Sequence, residues 1–264
     1  MKRVMNRNNF LRVAGVAILI GMAAFVLIAV WPLAEPHYQG QPLSLWLGVY
    51  WRGITNRPAQ AESAEAVLQM GTNAFPCLIN MIRARDSFLK QEAIKWSAKQ
   101  KVIKFNFTTA TERRYLAQCG YSILGPAAKS QVPELTRILT NDTVAEVRQC
   151  VAAALGSIGP DARSAVPALF LTAKDKDHMV RNNSLWALGR IHGDPNVIIP
   201  RLIEGLGDSF SVARENAAIA LGYYGPLASN AVPILLRTRA TNNAASDALF
   251  KIDPNWWAAV KNTK

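Results

Sequence analysis

Residue types able to carry out chemistry are few in this chain, and their spacing is poor for it. The histidines are His37, His178 and His192, and none stands at a metal-ligand spacing from a carboxylate or a cysteine. Cys77, Cys119 and Cys150 are odd in number and form no CxxC, which argues against a zinc site or a disulfide framework. They read as small apolar core residues, with a Cys119–Cys150 pair left open if the chain is exported. There is no GxSxG, HExxH, phosphate loop or GxGxxG opening a helix. No catalytic residue, metal site or cofactor is therefore expected. What does recur is a charge pair. Asp142, Asp175 and Asp208 each precede an arginine by six residues, in Arg148, Arg181 and Arg214, and Arg114 stands 34 residues before Arg148.

The elements that carry these pairs are themselves repeated. Pro133, Pro167, Pro200 and Pro233 are 34, 33 and 33 residues apart, and a fixed period of this length marks a stacked repeat. Gly125-Pro126, Gly159-Pro160 and Gly225-Pro226 each open a copy that runs on into Val-Pro. Proline is tolerated at a helix start because its missing N–H would be unpaired there anyway. In the clearest copy Val166, Leu169, Phe170 and Ala173 line one side of the first helix. A second helix carries the arginine and, eight residues on, the glycine of Ala154-Leu155-Gly156, Ala187-Leu188-Gly189 or Ala220-Leu221-Gly222. Small residues there let a neighbouring helix approach closely.

These motifs resemble the HEAT repeat family, especially its short form seen in phycobilin lyase-like proteins. The likeness covers about residues 59–252 and is strongest over 124–239. It implies an all-α fold, an α-solenoid of about five helix pairs. It also implies that Asp142, Asp175 and Asp208 with Arg114, Arg148, Arg181 and Arg214 form hydrogen-bonded ladders between adjacent units. The alternative is a row of arginines facing a ligand. In the last unit Asn242 falls near the arginine position and Phe250 replaces the glycine.

Ahead of the repeats, residues 1–12 carry Lys2, Arg3, Arg7 and Arg12 without an acid, and no charge falls between Arg12 and Glu35. Residues 13–33 are long enough for a transmembrane signal anchor, with Trp31 at an interface position. A cleaved signal peptide is the rival, but bulky Trp31 would fall near its cleavage site. The positive-inside rule then expects a single-pass inner-membrane protein whose C-terminal domain is periplasmic or extracytoplasmic. Residues 34–58 read as linker and N-terminal cap, with Leu43, Trp46, Leu47 and Tyr50 on one face. Residues 253–264 read as a C-terminal cap containing Trp256 and Trp257.

The period breaks once. Pro76 stands 57 residues before Pro133, so about 23 residues are inserted, over 85–111. Asp86 or Ser87 would cap a helix over about 88–103. Residues 83–114 carry nine basic side chains against three acidic, whereas 115–264 carry fifteen against twelve. The formal charge of +12 is thus local to the N-terminus and the insert, which weakens any general case for nucleic-acid binding.

Three functions follow as expectations. The first is a membrane-anchored scaffold for a protein partner, with Asn183, Arg190, Glu215 and Tyr223 on the second helices and Lys90, Lys95, Trp96 and Lys99 on the insert as candidate contacts. The second, a HEAT-like lyase or cofactor-handling enzyme, requires a deep pocket with His192 or Cys150 facing it. The third is binding of anionic lipid or nucleic acid through the basic insert, with nucleic acid the weaker choice for a domain outside the cytoplasm.

Overall fold

A computed structural model describes residues 35–52, 56–99 and 108–256. The chain divides into two units, Met1–Glu35 and Pro36–Lys264, and all described residues except Glu35 belong to the second. The expected anchor at 13–33 lies outside the described residues.

The second unit opens on a small hairpin, His37–Tyr38 (β1) paired antiparallel with Gln41–Pro42 (β2). Gln39 and Gly40 make the turn with φ of 50° and 75°, the positive values that a two-residue hairpin demands. The Trp46 indole N–H donates to the Tyr38 carbonyl at 3.2 Å, fastening the hairpin to α1 (Leu43–Arg52). Leu43, Trp46 and Leu47 are buried, and α1 packs on α2 (Arg57–Met70) and α5 (Ala110–Leu124).

Helix pairs then follow. The first helices are α3 (Phe75–Ile82), α6 (Val132–Asn141), α8 (Val166–Thr172), α10 (Pro195–Gly205) and α12 (Val232–Thr238). The second helices are α5, α7 (Ala145–Ile158), α9 (His178–Ile191), α11 (Ser211–Tyr224) and α13 (Ala245–Ile252). Each second helix packs directly on the next, in the order α5, α7, α9, α11, α13, and each first helix leans on the second helix of its own unit. The insert adds α4 (Phe88–Lys99). Its helix is described to Lys99, short of the expected 103, and residues 100–107 lie outside the described residues.

Each glycine ahead of a Gly-Pro proline ends a second helix. Gly125, Gly159 and Gly225 have φ of 49°, 73° and 55°, a conformation costly for residues with a Cβ. A seven-residue 3-10 turn follows, and the α-helix proper begins at the Val of Val-Pro, with Pro133, Pro167 and Pro233 in its first turn. The second proline therefore starts a helix and does not kink one. Pro200 is the exception. It lies inside α10, which starts at once from Pro195 with Asp194 as its cap.

Ser211–Thr238 is long and apolar enough by length and composition to cross a membrane. Its packing points elsewhere. The stretch turns at Gly225, α11 is packed between α9 and α13, and Ala213, Ala217, Ala218, Ala220 and Leu221 are buried in the common core. It is a core element of the stack.

Candidate partner-binding face

Arginine and aspartate pairs link successive units of the stack. Arg148 donates from Nε and Nη2 to the two carboxylate oxygens of Asp175, at 2.8 and 2.9 Å, and from Nη1 to the Asp142 carbonyl at 3.0 Å. One unit on, Arg181 does the same to Asp208, at 2.7 and 2.9 Å, and to the Asp175 carbonyl at 3.0 Å. Each aspartate also accepts the backbone N–H two residues ahead and so starts the next second helix: Val144 on Asp142, Asp177 on Asp175 and Phe210 on Asp208. A planar guanidinium fork suits this bidentate geometry.

Electrostatics agree with the contacts. Burial works against the charge of Asp175, but the hydrogen bonds from Arg148 and the Asp177 N–H hold it below the ordinary carboxylate value. The Arg181 hydrogen bonds do the same for Asp208 against its burial. Arg148 and Arg181 are raised, chiefly by those same bonds. Hollows beside the pairs, one bounded by Leu139, Arg148, Leu171 and Asp175 and another by Arg181, Arg201, Glu204 and Asp208, therefore offer charges already engaged.

The ends of the row differ. Among the described residues Arg114 donates to the Ala84 carbonyl at 2.7 Å, and Asp142 takes its side-chain partner from Arg85 at 3.0 Å. Arg214 donates to the carbonyls of Asp208 and Ser209. Asn242, read from the sequence as near the arginine position, takes the aspartate's place instead. Its Oδ1 accepts the Ala244 N–H and its Nδ2 donates to the Arg214 carbonyl. The signal was present: Asn242 follows Pro233 by nine residues, as Asp142 follows Pro133.

Asp86, a candidate cap for α4, does more. It accepts the Ala110 N–H at 2.8 Å across the insert, the Lys90 ammonium at 2.7 Å and Arg113 at 3.4 Å. Lys90 also donates to the Thr108 carbonyl at 2.7 Å. Asp86 is thus the repeat's capping aspartate, separated in sequence by the insert from the helix it caps. Lys90, a candidate contact, is spent at this neck. Lys95 bridges Glu92 at 2.8 Å, and Trp96 and Lys99 are exposed.

On the second helices a different row emerges, in which Arg190, Tyr223 and Lys251 are exposed and Trp186 is half-buried against the core. The glycines of Ala-Leu-Gly allow it. A Cβ on Gly156 would come within 2.7 Å of Trp186 Cε3 and 2.9 Å of the Ala187 Cα. A Cβ on Gly189 would lie 2.9 Å from the Ala220 Cα and 3.6 Å from Tyr223 Cδ2, and one on Gly222 3.3 Å from Lys251 Cδ. Trp186, Tyr223 and Lys251 therefore each lie over the glycine of the preceding second helix. Arg190 sits 5.9 Å above the Trp186 ring, and Lys251 Nζ 5.6 Å above the Tyr223 ring. Amides flank the row. Asn183 donates to the Gln149 carbonyl, Asn216 to Asn182, and Asn243 to Glu215.

Of the residues singled out from the sequence, Arg190 and Tyr223 lie on this row, Asn183 and Glu215 are half-buried beside it, and Lys90, Lys95, Trp96 and Lys99 belong to the insert. Trp186 and Lys251 were not anticipated. Trp186 directly precedes Ala187-Leu188-Gly189, where the other copies have Ala153 and Ile219, so the odd residue at that position was the available cue.

Cys119 and Cys150 are not joined by a disulfide. Burial raises the Cys150 thiol to about 11 and pushes Cys119 up as well, the wrong direction for a nucleophile at neutral pH. His192 ends α9 in the left-handed conformation with its ring stacked 4.4 Å from Tyr224. No group of three or more His, Cys, Asp or Glu able to hold a metal occurs among the described residues.

Residues 132–222 match the family model of HEAT repeats. No curated protein matches the chain significantly. Among solved structures, the complex of CpcE and CpcF of phycocyanin lyase from Nostoc sp. PCC7120 is 20% identical, with a TM-score of 0.40, covering 67% of this chain and 96% of that one. An engineered protein is 18% identical, TM-score 0.47, covering 82% and 96%. A designed armadillo repeat protein in complex with the peptide (KR)4 is 13% identical, TM-score 0.47, covering 81% and 100%.

Proposed function

We propose that this protein is a membrane-anchored repeat scaffold that holds a protein partner on the row formed by Trp186, Arg190, Tyr223 and Lys251. One observation carries the reading: Trp186, Tyr223 and Lys251 lie over successive glycines of closely packed helices and Arg190 lies over the Trp186 ring, so the row is set in place before any partner arrives. Ordering flexible side chains opposes association, and a preset surface lowers that cost. Trp, Tyr and Arg are also the residues that dominate binding energy at interfaces. Two cations flanking two aromatic rings suit a partner segment that presents carboxylates beside apolar side chains.

In this reading residues 13–33 are the uncleaved anchor, residues 1–12 remain in the cytoplasm, and the repeats stand on the extracytoplasmic side. Residues 34–58 and 253–264 cap a repeat domain over 59–252. Support for the caps comes from α1, which covers α2 and α5, and from Trp256, which packs against the core beneath Arg239, 5.3 Å above its ring. The Arg and Asp residues of the ladder serve the stack.

The test is capture from membranes with the full chain. The Trp186→Ala/Tyr223→Ala variant should lose the partner at least about tenfold, since an interface anchor contributes about 2 kcal/mol or more. A chain lacking residues 87–108 should retain it. Retention by the double variant would remove the row from the interface.

A further inference from the structure

The insert points its apolar side chains the wrong way for a helix that serves only the core. Phe88, Leu89 and Trp96 are 73%, 61% and 57% exposed. At 100° per residue they fall on one arc of α4 together with Lys95, Lys99 and Glu92, and Lys95 bridges Glu92 at 2.8 Å. The opposite side faces the protein: Ser97 is buried, and the Lys90 ammonium is spent on Asp86 and the Thr108 carbonyl. So the exposed face joins two aromatic rings, a leucine, two ammonium groups and the one carboxylate of Glu92, in a segment where 83–114 holds nine basic side chains against three acidic.

A second aromatic feature stands by the neck of the insert. Trp51 at the end of α1 and Tyr115 near the start of α5 stack with ring centroids 6.3 Å apart, and both remain more than a third exposed. Arg52 reaches Glu112 at 4.0 Å, and Glu112 forms the capping box with Thr109, next to the Ala110 N–H that Asp86 holds. The exposed rings of α1 and α5 and the root of α4 thus belong to one end of the stack.

We infer that this end rests on an anionic phospholipid surface, with Phe88, Leu89 and Trp96 entering the headgroup boundary, Lys99 meeting lipid phosphates and Lys95 joining it by exchanging Glu92 for a phosphate. Trp and Tyr concentrate at membrane interfaces, and basic residues add attraction to anionic headgroups. Phe88 and Leu89 separate this from nucleic acid. A base can stack on Trp96, but an exposed leucine gains from hydrocarbon and not from a base. The tether argument rests on the anchor reading. Only nine residues separate Leu33 from Leu43, so a fully extended link spans roughly 35 Å, which keeps α1 close to a membrane that holds residues 13–33.

The test uses the full chain in lipid nanodiscs, neutral phosphatidylcholine in one set and about a third phosphatidylglycerol in the other. Amide exchange is read in residues 88–99, with residues 145–158 as internal control. Docking predicts exchange at least about tenfold slower in 88–99 on the anionic discs alone, and reversal by salt. Lys95→Glu/Lys99→Glu should weaken the protected state by roughly thirtyfold or more. Phe88→Ser/Trp96→Ser should abolish protection while leaving 145–158 unchanged. Equal exchange on both lipids overturns the inference, as does protection that an RNA duplex confers and anionic lipid does not. Extraction at alkaline pH reads the anchor separately. A chain that washes off yet is protected by anionic vesicles loses the anchor reading and keeps the docking face. A chain that stays without protection does the reverse.

Discussion

Arg181 binds Asp208 of the next unit through two parallel hydrogen bonds and the Asp175 carbonyl in the turn of its own unit through a third, and both side chains are largely withdrawn from water. Removing one member of such a pair leaves the other charge without its partner. Arg181→Ala should therefore cost about 3 kcal/mol in urea unfolding. Arg181→Lys should cost about 1–2 kcal/mol, because an ammonium cannot reproduce the fork. Acid should act through the same groups. Asp175, Asp208 and Asp86 all ionise below the ordinary 3.8 in the folded chain. Their contribution to stability is complete above that value and is lost as pH falls through the lower folded values. Thermal unfolding followed by circular dichroism should fall steeply below about pH 4 and be nearly flat from pH 5 to 7. The Asp208→Asn variant should show a shallower acid limb.

At the scale of the element, the glycines decide helix spacing. Gly156→Ala would drive its methyl against the Ala187 backbone, and Gly189→Ala would do so against Ala220. Each should destabilise by about 1–3 kcal/mol although alanine is the better helix former. The insert gives the opposite expectation. Deleting residues 87–108 leaves Asp86-Thr109-Ala110, the same spacing as Asp142-Thr143-Val144, and returns Arg114 to six residues after Asp86. That chain should fold with a melting temperature within a few degrees of the parent. These elements were largely legible beforehand, since Gly-Pro, Val-Pro and Ala-Leu-Gly each mark a boundary or a close approach. The orientation of α4 was not. Phe88, Leu89 and Trp96 share one arc, as they would on a core-facing side, yet that arc is exposed, and the sequence alone cannot distinguish a packed ring from a projecting one.

In the whole molecule, most of the conspicuous conservation of pattern from unit to unit is spent on stacking. The residues left for recognition are those that vary at fixed positions of the repeat: Trp186 where other copies have alanine or isoleucine, and Lys251 across Gly222. A periodic reading finds what is the same in every unit and passes over these. That is why spacing points alike to Arg148 and Arg181, which pair with aspartates, and to Arg114 and Arg214, which bond to backbone carbonyls, and passes over Trp186 and Lys251. The most direct measurement is photo-crosslinking in membranes, with benzoylphenylalanine placed at Tyr223 and, as control, at Leu171 on the exposed side of α8, which is 72% exposed. The account predicts one discrete protein adduct from position 223 and none from 171. The same adducts from both positions, or an adduct from 171 alone, would contradict it.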